Sequence, residues 1–313
     1  MILTKFQVLF RLLAARHRMG FKSLSERLAF FLQINPVLNV LTSLWMSSIN
    51  DGNGISGRWA RWLVSRGFGF GALRNMSPEN RLIFATNVLG IHSKPSTSII
   101  LTKIETDGYA ALTKFVDSST VSKAHEFFGS CEHFAAQVFA QSDGVTIKKD
   151  WRDYGTPGAT PPFRYVCFRQ KDSLRFFEQT KAVDIAAVKE IADTYCGFDT
   201  RLYGVNTFCT LPGVGADYAM RLHRDYDDFS FLTVFIAWTP TLVEDGATLY
   251  VPRSHRSSTV GTQTVALAAQ PGDAFVADTF GLHAGNIRVE KPRLATWFRF
   301  GHKVNLATIQ DGE

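Results

Sequence analysis

The sequence predicts an α+β protein: a jelly roll or β-sandwich core flanked by helices, with an extra helical region ahead of it. Three observations predict it. Short β-rich runs separated by turn residues fill the stretch from Leu202 to Phe300. Helical periodicities gather before that stretch. The run Phe229 to Trp238 is largely apolar on both faces, with Phe231, Thr233 and Phe235 alternating with Leu232, Val234 and Ile236, as in a strand enclosed within a sandwich.

At 313 residues the chain can bury a substantial core, and 45% hydrophobic with 20% charged residues is the composition of a folded protein. Cys131, Cys167, Cys196 and Cys209 are scattered with no CxxC pair. That argues against a zinc knuckle or a disulfide framework and points to a reducing, cytoplasmic setting. The charge is uneven. Residues 1–80 hold ten Lys or Arg against three acids, net +7 of the total +6, so the remainder is close to neutral. No basic stripe continues past the first region, which argues against nucleic-acid binding.

Residues 1–95 are expected to form a basic helical extension and residues 96–313 the main domain. Met1 to Gly20 mixes apolar clusters with Lys5, Arg11, Arg16 and Arg18, too short and too interrupted to span a bilayer or to serve as a signal peptide. Pro36 and Asp51-Gly52-Asn53-Gly54 divide the next stretch into helices over Ser23 to Asn35 and Pro36 to Ser48, and Trp59, Arg61, Trp62 and Arg66 mark a further segment. The simpler account is an extension packed on the rest of the chain with its charges in water. The alternative is peripheral membrane contact, with Lys and Arg on lipid phosphates and Trp at headgroup level.

Asn87 to Ser98 reads as a linker and Ser98 to Lys103 as a strand. Thr106-Asp107-Gly108 is a turn into a strand, and Ser118 to Ser130 is a helix capped by Ser118 or Ser119. Residues 142–163 are loop-like, as a lid or binding loop would be. Ala182 to Cys196 is an amphipathic helix ended by Gly197. Strands then occupy Leu202 to Thr210, Phe229 to Trp238, Ala247 to Val251, Thr262 to Ala268, Ala274 to Ala277 and Leu294 to Phe300.

Within this β-rich part, His223-Arg224-Asp225 and His283 supply the ligands of a 2-His-1-carboxylate facial triad for non-haem Fe(II), which leaves three positions open. On an extended segment, residues i and i+2 point to one side, so His223 and Asp225 can meet one ion while His283 arrives from a neighbouring strand. Asp227 and Asp228 lack that spacing. With 8 His and 18 Asp, His-x-Asp arises by chance about 0.5 times in such a chain, so the pair needs its context. That context is ordered. Asp245-Gly246 and its strand come after the pair, then Pro271-Gly272-Asp273 running to His283, and Arg293 ten residues on.

Together with Thr106-Asp107-Gly108-Tyr109, Leu211-Pro212-Gly213, the run Asp245 to Arg256, and Asn286, these pieces make the chain resemble the phytanoyl-CoA dioxygenase-like family of Fe(II)/2-oxoglutarate oxygenases over residues 98–302. The resemblance implies a double-stranded β-helix of cupin-like type and Fe(II) on His223, Asp225 and His283, with 2-oxoglutarate and O2 as co-substrates. It also implies that Arg293, or failing it Arg288, grips the far carboxylate of 2-oxoglutarate with its planar fork. The chain departs from the family at Gly285, where a hydroxyl residue is common. The missing hydrogen bond is expected instead from Thr248, Asn206 or Thr296. Related iron halogenases lack the carboxylate that Asp225 retains, so hydroxylation or another C–H oxidation is implied.

The expected activity is oxidation of a small or lipid-like organic substrate with release of succinate and CO2. A cupin-like metal protein without oxidative turnover, an isomerase or a sensor, would keep the triad and have no need of Arg293. Tyr226, Phe231, Phe235 and Trp297 are candidates for lining substrate space, although aromatics on strands more often belong to plain core, and His255 is expected to be a structural turn residue.

Overall fold

The computed structural model describes residues 36–49, 76–91, 98–136, 146–155, 163–213, 218–285 and 288–301, with a few positions between 56 and 73. The expected segments Met1 to Gly20 and Ser23 to Asn35, and Asn286, lie outside the described residues. The chain divides into two compact units, one taking residues to Ile91 together with Tyr226–Phe229, the other taking His92–Asp225 and Ser230–Lys303.

The first unit contains α1 (Pro36–Ser47) and α2 (Pro78–Asn87), which pack on each other. Ser77 caps α2 by accepting from the Asn80 backbone N–H at 3.2 Å, and Pro78 occupies the first turn, where its missing N–H costs nothing. Phe84 packs on Phe229 at 5.2 Å between ring centroids, and buried Arg81 donates to the Phe229 carbonyl at 3.1 Å.

The second unit opens with α3 (Ile99–Asp107), where a strand was expected. Its β-branched Ile99, Ile100 and Thr102 favour a strand locally. Burial of Leu101 and Ile104 at helical spacing decides otherwise, and Gly108 ends the helix in the left-handed region at φ 92°. Next come β1 (Tyr109–Leu112) and α4 (Ser118–Ser130). The cap of α4 is Asp117 rather than either serine: its carboxylate accepts from the Thr120 N–H at 2.8 Å. After them the chain forms β2 (His133–Ala136), β3 (Thr146–Ile147), β4 (Tyr165–Phe168), α5 (Gln170–Thr180) and α6 (Ile185–Cys196). The remaining strands are β5 (Arg201–Thr210), β6 (Phe231–Ala237), β7 (Thr248–Tyr250), β8 (Val265–Leu267), β9 (Ala274–Ala277), β10 (His283–Ala284) and β11 (Arg293–Gly301).

These strands form a jelly roll. The large antiparallel sheet runs β1-β9-β6-β11-β5-β4-β2-β3 and the small one β10-β7-β8. Side-chain alternation in β11 divides the molecule's interior in two. Leu294, Phe298 and Phe300 join the core formed with Phe176 and Phe177 of α5 and Val188 and Ala192 of α6. Phe177 meets Phe298 edge-on at 4.6 Å and lies near Trp238. The odd-numbered residues Arg293, Ala295, Trp297 and Arg299 instead face a cavity on the other side of the sheet. The four cysteines are free, and Cys131, Cys196 and Cys209 are buried. Among the described residues no helix is long and apolar enough to cross a membrane.

Candidate metal centre

The segment carrying His223 and Asp225 is tied down by its own backbone. The His223 N–H donates to the His283 carbonyl at 2.9 Å and the His283 N–H returns the bond at 3.0 Å, an antiparallel bridge beside β10. Two residues on, the Asp225 N–H donates to the Thr279 carbonyl at 2.9 Å. Arg224, between them, turns its guanidinium to the Phe280 carbonyl at 2.7 Å and to the Ser254 carbonyl. With its middle residue anchored, the extended segment presents His223 and Asp225 toward His283.

The ligand-type atoms of His223, Asp225 and His283 all lie within 4.8 Å of one another. Each histidine Nε2 is 3.7 Å from an oxygen of Asp225, His223 from Oδ1 and His283 from Oδ2. Both Nδ1 atoms are already engaged, with the carbonyls of Arg221 at 2.7 Å and Gly281 at 2.9 Å. A carbonyl partner selects the tautomer with the proton on Nδ1, so the two Nε2 lone pairs face inward. Two imidazole nitrogens and one carboxylate on one side of a cavity are the donor set of a facial triad, and they fit Fe(II). Asp227 and Asp228 do not join the group.

Arg299 lies beside this cluster, and sequence reasoning did not single it out. Its Nη2 donates to Asp225 Oδ2 at 2.7 Å and its Nε to Thr233 Oγ1 at 3.2 Å. Burial pushes the Asp225 carboxyl up, but Arg299, then His283 and His223, pull harder, so it lies below the usual carboxylate range. One signal could have found Arg299: it has the same parity as Arg293 along a single strand.

The cavity measures about 340 Å³ and is lined by apolar Phe208, Met220, Phe235, Phe275 and Trp297 as well as by the triad. Arg293 lines it too. Its side chain is only 7% exposed, and its Nε and Nη1 have no hydrogen-bond partner among the described residues. Burial pulls it down to about 10, which still leaves it charged at neutral pH. Gly246 makes room for it. At φ 84° that position favours glycine, and a Cβ there would stand 2.8 Å from Arg293 Nη1.

The other expected residues divide. Thr248, Phe235 and Trp297 line the cavity, whereas Tyr226, Phe231, Asn206 and exposed Arg288 do not. Thr296 is a correction: its even position in β11 turns it to the helix side, where its hydroxyl pairs with Thr207 at 2.7 Å and accepts from Trp238 Nε1 at 2.8 Å. His255 is fully buried in a turn, its Nε2 3.2 Å from the Glu105 carbonyl. Thr210, Tyr218 and Met220 line the cavity without having been expected there.

Fold and site define a class: a double-sheet jelly roll with a candidate two-histidine, one-carboxylate metal centre. The model of the family described as phytanoyl-CoA dioxygenase (PhyH) matches residues 104–287, more than half of the chain, and the chain belongs to that family. The dioxygenase peniF of Penicillium patulum is 33% identical to it over 110 residues, which cover 28% of this chain and 35% of that protein. The match therefore spans about a third of that relative's length. Two solved structures are also similar. HygX from Streptomyces hygroscopicus, with nickel and 2-oxoglutarate bound, aligns over 66% of this chain and 87% of its own at 14% identity and TM-score 0.45. EvdO2 from Micromonospora carbonacea var. aurantiaca, complexed with 2-oxoglutarate, aligns over 71% and 97% at 17% identity and TM-score 0.47.

Proposed function

We propose that this chain is an Fe(II)- and 2-oxoglutarate-dependent dioxygenase that oxidises a C–H bond of a small or lipid-like organic substrate, chiefly by hydroxylation, and releases succinate and CO2. The observation that carries this reading is Arg293, a buried cation whose Nε and Nη1 have no partner among the described residues and which shares a cavity with the triad. A metal site without oxidative turnover has no use for a charge desolvated in this way, whereas a dicarboxylate co-substrate does.

His223 and His283 would hold the metal through Nε2 and Asp225 through its carboxylate, leaving three positions for co-substrate and oxygen. Bound there, Fe(II) supplies the activation of dioxygen that couples decarboxylation of 2-oxoglutarate to substrate oxidation. Arg293 orients the co-substrate by its far carboxylate. Phe208, Phe235, Phe275 and Trp297 keep the cavity apolar, which excludes water and favours an apolar portion of the substrate. Asp225 keeps its carboxylate in the metal set, and this favours oxygen insertion over halide transfer.

The test is succinate release that depends on both iron and 2-oxoglutarate. His223→Ala should abolish it, and Arg293→Ala should raise the KM for 2-oxoglutarate by roughly ten-fold or more while iron still binds. Iron-dependent turnover that persists in a His223→Ala, His283→Ala double variant would overturn the assignment. Metal binding with no affinity for 2-oxoglutarate would support the isomerase or sensor instead.

A further inference from the structure

Three consecutive carbonyls in the turn between β9 and β10 each serve a different part of the metal centre. The Thr279 carbonyl accepts from the Asp225 N–H at 2.9 Å, the Phe280 carbonyl from the Arg224 guanidinium at 2.7 Å, and the Gly281 carbonyl from His283 Nδ1 at 2.9 Å. Asp278 shapes that turn. Its Oδ1 accepts from the Phe280 N–H at 3.0 Å and its own carbonyl from the Gly281 N–H at 2.9 Å, while its N–H donates to the Gly108 carbonyl at 2.9 Å. The Tyr250 hydroxyl donates to the same Asp278 carbonyl at 2.8 Å, in a space that a Cβ on Gly281 would fill. Alternation along β9 sends Ala274 and Val276 to the core beside the helices and Phe275 and Ala277 to the opposite face. Asp278 continues the first series. Its carboxylate therefore meets α6, where the Tyr195 hydroxyl donates to Oδ2 at 2.7 Å, and it does not line the cavity. Asp278 is only 1% exposed. A carboxylate so deep is costly unless hydrogen-bonded, and packing alone would be served by an apolar residue.

We infer that Asp278 is a positioning residue of the metal centre, its carboxylate locked by Tyr195, and that this buried pair sets the turn on which the ligands depend. The inference rests on the triad's being a metal site. Asp278 touches none of the reacting groups. It fixes where the Thr279 and Gly281 carbonyls point, and through them the backbone of Asp225 and the ring of His283. His223 follows, because its backbone is bridged to that of His283. Partners that orient ligands in this way commonly govern metal affinity. The support comes from the helix side of the sheet, so it can be weakened without changing a residue that lines the cavity.

The test is titration of the full chain with Co(II), reading both the Kd and the visible absorption of the bound ion, which reports how its ligands are arranged. Asp278→Ala should weaken Co(II) binding roughly ten-fold and alter that spectrum, and Tyr195→Phe should weaken it about three-fold. Asp278→Asn keeps an acceptor for the Phe280 N–H and meets the Tyr195 hydroxyl as a donor, so it should bind within about three-fold of wild type. Asp117→Ala, which removes the cap of α4, serves as the control for lost stability and should bind Co(II) as wild type does. Wild-type affinity and spectrum in a folded Asp278→Ala variant would overturn the inference and leave the metal centre intact. An equal loss in Asp117→Ala would also overturn it, as general destabilisation. Should Asp278→Ala fail to fold, Tyr195→Phe decides: an unchanged Kd and spectrum there would overturn the inference. A wild-type protein that does not bind Co(II) would overturn the metal centre itself.

Discussion

Arg299 stands 74 positions from Asp225 in sequence, and it donates a hydrogen bond to Asp225 Oδ2. A metal-ligating carboxylate held from behind in this way is fixed in rotation, and such supports commonly account for ten- to hundred-fold in metal affinity. Arg299→Leu should therefore lower Mn(II) or Fe(II) affinity roughly ten-fold, measured by direct titration, and Arg299→Lys should recover most of it. Unchanged affinity in the leucine variant would show that Asp225 needs no such support. At this scale the sequence was legible for the ligands, because His-x-Asp on extended chain is a local pattern. It was not legible for Arg299, whose partner is distant in sequence, or for Thr296, whose hydroxyl looked available only until the strand's alternation turned it away from the cavity.

Among the elements, legibility followed the same division between local and distant causes. Apart from two-residue β10, the strands from β5 onward were readable because alternation and turn residues are local, and α4 and α6 because their apolar spacing is helical. By contrast α3 was misread from its β-branched residues, β3 lies in the stretch expected to be a loop, and β2 and β4 passed unnoticed, all three being short strands that owe their existence to pairing across the sheet. Asp184 caps α6 by accepting from the Ala187 N–H at 3.0 Å. Asp184→Ala should cost about 1 kcal/mol in urea denaturation, since it leaves an end donor unmade. In β2, His133 is fully buried, with Nε2 3.2 Å from the Tyr154 hydroxyl, and desolvation lowers it from its ordinary 6.5. The unfolded chain then takes up a proton before the folded one does. Stability should fall as pH drops below about 6.5, by at most about 1.4 kcal/mol per unit, until the folded histidine also protonates. His133→Asn should flatten that part of the stability–pH curve.

Across the whole second unit, the jelly roll separates two tasks by the parity of one strand: even positions of β11 build the core against the helices and odd positions serve the cavity. The candidate metal ligands come from segments 60 residues apart, His223 and His283, so an ion binding both would stabilise only the folded form. At a free concentration one hundred times its Kd it should add about 2.7 kcal/mol. Thermal melts with Mn(II) should show that rise, a chelator should remove it, and His283→Ala should show neither effect.

The mutual backbone pairing of His223 and His283 has a practical corollary. Since the chain itself, and not the cation, holds the two imidazoles side by side, an occupant can leave and another enter without the polypeptide rearranging. Protein isolated with nickel or zinc in place of its working ion should therefore be convertible by dialysis alone, with no refolding step.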